Sequence, residues 1–285
     1  MASLSSSKAF FIPSDKGDVF ALYFQPDSWL DKSRDQSGRK AILYIPAFAE
    51  EMNKSRRMVA LQARSFCQQG YAVLLLDLYG TGDSQGEFAD ANWSIWLANI
   101  ASALNWLRNR DIESICLWGL RVGALLAMDF LQQFPHKDIN RLICWQPVLK
   151  GDLFGMQFLR LKIASAMMDK NAPKEKVADL KAQLEVGQSI EVAGYKLGPE
   201  LMLPMMALQA GQLNLNGINE CCVFEIVTNE GQSASLVTRQ WIDTMQETNM
   251  KITLDLVAGD NFWATQEIAE VTELLEVTTN RMKIK

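Results

Sequence analysis

The sequence predicts an α/β fold: a mostly parallel sheet of eight strands, helices on both of its faces, and an inserted, mainly helical cap. Two patterns predict it. Short apolar segments alternate with helical segments along most of the 285 residues, and this alternation stops at about Gly151 and resumes at about Cys221. We therefore expect residues 1–150 and 221–285 to form one core. Residues 151–220, called the insertion below, are expected to form the cap.

Eight apolar segments are the candidate strands. They are residues 10–12, 19–24, 41–45, 72–77, 114–118, 141–146, 222–227 and 252–257. The first two are separated by a short polar turn, so they are expected to form an antiparallel hairpin at the edge of the sheet. Most of the later segments are continuous apolar runs, which are typical of strands buried on both faces.

Helical patterns occupy the segments between these strands. From Trp93 to Leu107, apolar residues recur every three or four positions, with Asp90 or Asn92 as the candidate N-cap. In the insertion we predict a helix over residues 171–187, a small hairpin over residues 190–197 and a second helix from Pro199. Six of the 13 methionines also lie there. Flexible thioethers suit either a lid over an apolar pocket or an ordinary packed subdomain.

The overall charge and the cysteines exclude several classes of function. A net charge of −5 argues against nucleic-acid binding and against anionic membranes. The opening residues show no basic segment followed by a long apolar stretch, and no later apolar run is long enough to span a membrane, so a cytoplasmic location is expected. The five cysteines lack metal-ligand spacing and are expected to be buried thiols. We predict neither a metal nor a cofactor.

Two motifs indicate the fold family. Residues 117–123 read Leu-Trp-Gly-Leu-Arg-Val-Gly, and residues 77–86 read Asp-Leu-Tyr-Gly-Thr-Gly-Asp-Ser-Gln-Gly. They resemble the nucleophile elbow and the glycine-rich turn of the α/β-hydrolases. At the elbow, however, Arg121 stands where those enzymes have a serine. A guanidinium stays protonated and cannot attack an acyl carbon, but it pairs well with a carboxylate or a phosphate.

The other positions of a Ser-His-acid triad are also altered. In the α/β-hydrolases the histidine follows the last strand, and here that position holds Asn261. Glu230 is at the position of the acid. The single histidine, His136, precedes a strand and is expected at the edge of the sheet opposite to the usual ligand sites. We therefore predict that the chain lacks Ser-His-acid catalysis.

The pattern as a whole resembles the proteins called exosortase A system-associated hydrolase 2. The resemblance rests on residues 46–58, 118–126 and 262–263. It implies a bacterial cytoplasmic protein that accompanies exopolysaccharide and protein-sorting genes, with a homodimer or a protein of the same gene system as the candidate partner. The resemblance to the α/β-hydrolases further implies that an oxyanion hole, if kept, would use the loop over residues 44–57, which includes Phe48 and Ala49, together with the N–H of Val122.

Three functions remain open from the sequence. In the first, Arg121 faces a pocket for an anionic ligand of acyl or sugar type. The candidate pocket residues are Arg121, Val122, Phe48, Ala49, Glu50, Glu51, Trp118, Trp145, Asn261 and Trp263. In the second, Arg121 pairs with Glu50, Glu51 or Asp77 and plugs a site that has lost its chemistry, which would leave an interaction protein. In the third, the chain is an active esterase or acyl hydrolase that uses Ser84, Asp83 or Cys144.

Overall fold

The structure is a computed structural model that describes residues 7–30, 38–134, 136–167, 175–246 and 248–283. Its strands are β1 (Ser7–Ile12), β2 (Val19–Phe24), β3 (Lys40–Ile45), β4 (Ala72–Leu76), β5 (Ser114–Leu120), β6 (Ile139–Trp145), β7 (Ile190–Val192), β8 (Tyr195–Leu197), β9 (Glu220–Val227) and β10 (Lys251–Ala258). Its helices are α1 (Glu50–Gln68), α2 (Trp93–Arg108), α3 (Val122–Gln133), α4 (Gly151–Ala166), α5 (Val177–Glu185), α6 (Pro199–Ala207), α7 (Leu236–Met245) and α8 (Thr272–Arg281).

The main sheet confirms the predicted fold class. Across the described residues it has eight strands in the order β1-β2-β4-β3-β5-β6-β9-β10. The pairs β1–β2 and β2–β4 are antiparallel, and every other pair is parallel. The edge hairpin expected from the first two apolar segments is therefore present. Each predicted strand also begins and ends within a few residues of an observed one.

Apolar layers cover both faces of the sheet. On one face the sheet packs against α2, α3, α7 and the insertion, with Trp96, Leu125 and Met202 among the buried residues. On the other face it packs against α1 and α8, through residues such as Phe66 and Leu274. Asn92 is the N-cap of α2, because its side chain accepts a hydrogen bond of 2.8 Å from the N–H of Ile95.

The insertion contains more helix than the sequence predicted. Helix α4 was not predicted, since it is apolar on almost every side and lacks a clear amphipathic period. The helix expected over residues 171–187 is observed as α5, and its predicted start at Asn171 lies outside the described residues, as does Met168. The predicted hairpin is β7–β8, and the helix expected from Pro199 is α6. No helix in the described ranges is both long enough and apolar enough to cross a membrane.

Candidate functional site

The turn between β5 and α3 has the geometry of a nucleophile elbow. Arg121 is the single residue between the strand and the helix, and its φ of 55° and ψ of −119° are rare for a residue with a side chain. Such a conformation costs about 1–3 kcal/mol unless its surroundings hold it. Here the Arg121 N–H donates to Trp145 O at 3.0 Å, and Arg121 O accepts from the N–H groups of Ala124 and Val148, both at 3.1 Å. The backbone around the elbow therefore fixes the position of Arg121.

The two glycines of the motif are required because backbones pass close to them. A Cβ atom at Gly123 would lie 2.3 Å from Ile45 O and 2.4 Å from Pro46 O. A Cβ atom at Gly119 would lie 2.4 Å from both Cα and N of Ala124. These contacts bring the start of α3 directly against the end of β3. The elbow consequently lies beside the loop that leads from β3 into α1.

The side chain of Arg121 pairs with Glu51, in the first turn of α1. Arg121 Nε donates to Oε1 and Oε2 of Glu51 at 3.3 Å each, and Nη2 donates to Oε1 at 3.2 Å. The two side chains are 18% and 20% exposed. The other two candidate partners are engaged elsewhere. Glu50 accepts hydrogen bonds from Tyr195 and Asn53, and Asp77 pairs with Arg56.

Two aromatic rings flank the guanidinium. Arg121 Cζ lies 5.3 Å from the ring centroid of Trp263 and 5.7 Å from that of Phe154, distances at which a cation is attracted to a ring face. Trp263 follows β10, whereas Phe154 belongs to α4 of the insertion. Among the described residues, Arg121 Nη1 has no hydrogen-bond partner. One donor group of the guanidinium therefore remains free for a ligand.

Burial affects the ionisation of Glu51. Desolvation raises the pKa of its carboxyl group, and the charge and hydrogen bonds of Arg121 act in the opposite direction.

Ala49, just before α1, has a φ of 52° and a ψ of −128°, which are close to the values at Arg121. This loop lacks glycine, yet it adopts a turn that usually favours glycine. Two strained turns, each leading into a helix, therefore hold the ion pair.

The three candidate oxyanion-hole residues, Phe48, Ala49 and Val122, are all buried. Val122 is the first residue of α3, where a backbone N–H has no acceptor within its own helix. Phe48 lies among aromatic side chains and makes edge-to-face contacts with Phe154 and Phe158 of α4. The loop after β3 is thereby packed against the insertion.

Trp118 and Trp145 do not lie in this site, contrary to the expectation from the sequence. Both side chains are fully buried on the α1–α8 face of the sheet, where their ring centroids lie 4.8 Å apart. The Nε1–H of Trp145 donates to Thr278 Oγ1 of α8 at 3.0 Å. Both tryptophans are thus part of the core, and only Trp263 of the three contacts Arg121.

Among the described residues, the other two triad positions lack a catalytic partner. Asn261 and Glu230 are exposed, in the segments that follow β10 and β9. The ring of His136 lies just before β6, with Nδ1 3.1 Å from Ile139 O, and so belongs to the amino edge of the sheet. Arg121 follows the carboxyl end of β5. The single histidine of the chain is therefore at the opposite edge from the elbow.

The residues proposed for a substituted mechanism are held in structural roles. Ser84 Oγ donates to Asp77 O and accepts from the N–H of Phe20, both at 2.7 Å. Cys144 is fully buried, 4.0 Å from the sulfur of Cys221. All five cysteines are buried as expected, and desolvation raises the pKa of Cys222 to about 11. Asp83 is exposed in the glycine-rich turn. In the described part of the chain, no general base is hydrogen-bonded to the side chain of any of these three residues.

Two residues of the site were not identified from the sequence. Phe154 contacts the guanidinium, and Tyr195 donates its hydroxyl to Glu50 Oε2 at 3.1 Å. Both belong to the insertion, so their contacts depend on how it packs over the sheet. The only sequence signal is their type, an aromatic side chain in a segment expected to cover the site.

Comparisons with known proteins support the fold. A family model described as serine aminopeptidase, S33 matches residues 37–221. Est1E from Butyrivibrio proteoclasticus, solved with ferulic acid, has a TM-score of 0.64 at 17% identity, with 96% of each chain covered. A Pyrococcus furiosus esterase has a TM-score of 0.60 at 14% identity, covering 98% of this chain and 91% of that one. At these identities the two structures show a shared fold.

One curated relative is an uncharacterized protein of Rickettsia prowazekii (strain Madrid E). It is 28% identical over 109 residues, a match that covers 38% of this chain and 44% of that protein. The aligned part thus spans less than half the length of the relative. The family model, by contrast, covers more than half of this chain and includes the elbow. With its α/β-hydrolase fold, the chain belongs to the serine aminopeptidase, S33 family.

Proposed function

We propose that this protein is a noncatalytic member of its family that binds a small anionic ligand at Arg121. The observation that carries the proposal is the environment of the Arg121 guanidinium at the elbow. It is fixed by the backbone, partly exposed, and keeps Nη1 without a partner among the described residues. It also stands at the N-terminus of α3, where the helix dipole favours negative charge.

The surroundings of Arg121 favour an acyl or sugar-type ligand that carries a carboxylate or a phosphate. Phe154 and Trp263 provide apolar surface beside the charge. The insertion supplies Phe154 and bonds to α1 through Tyr195 and Glu50, which supports the proposal that residues 151–220 form a cap over this site. The absence of a histidine near the elbow supports the noncatalytic part of the proposal.

The cellular setting that we propose rests on sequence resemblance. The likeness to exosortase A system-associated hydrolase 2 supports a bacterial cytoplasmic protein that works beside exopolysaccharide and protein-sorting machinery. A ligand or a partner would then come from that system, and a homodimer remains an option.

Replacing Arg121 with glutamine tests whether its guanidinium binds anions. We expect this variant to bind benzoate and inorganic phosphate at least about tenfold more weakly than the wild type, because it loses a charge-assisted hydrogen bond. Isothermal titration calorimetry measures both affinities. The matched control is Arg160→Gln, which removes an exposed arginine of α4. Equal affinities in the wild type and Arg121→Gln would contradict the proposal.

A second candidate function is a plugged site in an interaction protein. The Arg121–Glu51 ion pair favours it, since an internal carboxylate already occupies part of the guanidinium. In that case no anion binds, even after Glu51 is neutralised. The Glu51→Gln variant described in the Discussion separates the two candidates.

A further inference from the structure

A separate cavity lies on the α1 face of the sheet and has a volume of about 220 Å³. Its floor is a row of neighbouring strand residues. Leu22 of β2 is in register with Leu75 of β4, and Leu75 is in register with Tyr44 of β3. Its lining includes none of the residues that contact Arg121.

One side of α1 forms the roof of this cavity. The lining residues of the helix follow each other at helical spacing and therefore point the same way. They are Met52, Arg56, Val59 and Ala60. Ala60 of the roof and Leu22 and Leu75 of the floor are only half-buried, so the cavity is reachable from solvent. Seven of the ten lining residues are apolar, and Tyr44, Arg56 and Asp77 supply the polar groups.

Arg56 supplies the free hydrogen-bond donors of the cavity wall. Its Nη2 donates to Asp77 Oδ2 at 2.9 Å, and the Arg56 side chain is 44% exposed. Within the described part of the chain, Nε and Nη1 have no partner. Asp77 Oδ2 also accepts the N–H of Asp83 at 3.0 Å, and the carboxylate of Asp83 lies within electrostatic range of Arg56. Two carboxylates thus surround one guanidinium.

This charge balance decides the kind of ligand. A ligand carboxylate entering the cavity would meet one cation, Arg56, and two carboxylates, Asp77 in the wall and Asp83 in the exposed turn beside it. An uncharged acceptor avoids that repulsion and can still receive a hydrogen bond from the free N–H groups of Arg56. The apolar floor and roof then match an apolar ligand body.

We propose that this cavity binds a small uncharged molecule with an apolar body and one hydrogen-bond acceptor, which Arg56 engages. A ligand of roughly six to nine non-hydrogen atoms fits, since an apolar cavity of about 150 Å³ is large enough for benzene. A ketone or an ester of this size belongs to the class. The site is independent of the function proposed for Arg121.

An NMR titration tests the proposal with two probes of matched shape, cyclohexyl methyl ketone and cyclohexanecarboxylate. The ketone is expected to give saturable shifts in the methyl resonances of Leu22, Leu75 and Val59, which line the cavity. The carboxylate is expected to bind at least about tenfold more weakly, because of Asp77 and Asp83. Equal or tighter binding of the carboxylate, or shifts that do not saturate, would overturn the proposal.

Variants on α1 locate the binding site. Arg56→Met is expected to weaken ketone binding about tenfold through the loss of one charge-assisted hydrogen bond. Arg57→Met is the control, because Arg57 lies on the same helix but pairs with Glu270 and does not line the cavity. Ala60→Phe fills the cavity and is expected to abolish binding, whereas Ala60→Ser preserves it. Unchanged ketone affinity in folded Ala60→Phe, or in Arg56→Met, would overturn the assignment.

Discussion

Replacing Gly123 with alanine is expected to lower the free energy of unfolding by about 3 kcal/mol or more. The added Cβ would lie 2.3 Å from Ile45 O and 2.4 Å from Pro46 O. Both neighbours are backbone atoms at the end of β3, in the middle of the sheet, and they cannot move without displacing the strand. Chemical denaturation followed by circular dichroism measures the loss.

Gly155→Ala is the matched control for this prediction. Gly155 is also a helical glycine, but its Cβ would meet the side chain of Met206, with Cγ at 2.4 Å and Sδ at 2.7 Å. A flexible thioether can turn away, and alanine favours the helix over glycine. We therefore expect a much smaller change in stability than for Gly123→Ala. Similar losses in the two variants would mean that the elbow does not depend on close backbone packing.

Glu51→Gln is expected to raise the affinity of Arg121 for an anion about tenfold, because it removes the carboxylate that competes for the guanidinium. The same competition makes the anion affinity of the wild type depend on pH. Burial raises the pKa of Glu51, so this side chain becomes neutral at a higher pH than an exposed glutamate does. Anion affinity should therefore rise as the pH falls through that raised value, and it should stay flat in Glu51→Gln.

Benzenesulfonate is the probe for this pH series, because it stays ionised in acid. Calorimetric titrations across the acidic range measure its affinity in each variant. Glu50→Gln is the control, since Glu50 bonds to Tyr195 and Asn53 and not to Arg121. If Glu51→Gln and Glu50→Gln bind alike, Glu51 does not compete for the site. If no anion binds to Glu51→Gln, the plugged-site candidate replaces the binding proposal.

The sequence was sufficient to predict the sheet and the elbow. The strands are short apolar runs whose limits are marked by polar turns, and this signal is local. The sequence signal for the elbow is also local, because Gly119 and Gly123 mark the positions where backbones must pass close together. The sequence does not reveal helix α4, because its apolar residues are spread around the helix axis and form no periodic stripe.

The side chains around Arg121 were harder to predict. Glu50 and Glu51 are adjacent in the sequence, and only the rotation of α1 decides which of them meets the guanidinium. The closeness of Trp118 and Trp145 to the carboxyl ends of their strands does not decide which face of the sheet they lie on, because side chains alternate between the two faces. Both point to the α1–α8 face. The contact of Phe154 depends on the packing of the insertion, which no local pattern reveals.

Hydrolysis of p-nitrophenyl butyrate tests the proposal that arginine at the elbow and asparagine at the histidine position leave the protein without hydrolytic activity. We expect the wild type to release p-nitrophenol no faster than Arg121→Ala does, with no saturation by substrate. Ser84→Ala should behave in the same way, because Ser84 is held by Asp77 O and the Phe20 N–H. Saturable turnover by the wild type that is lost in Arg121→Ala or in Ser84→Ala would contradict the noncatalytic proposal.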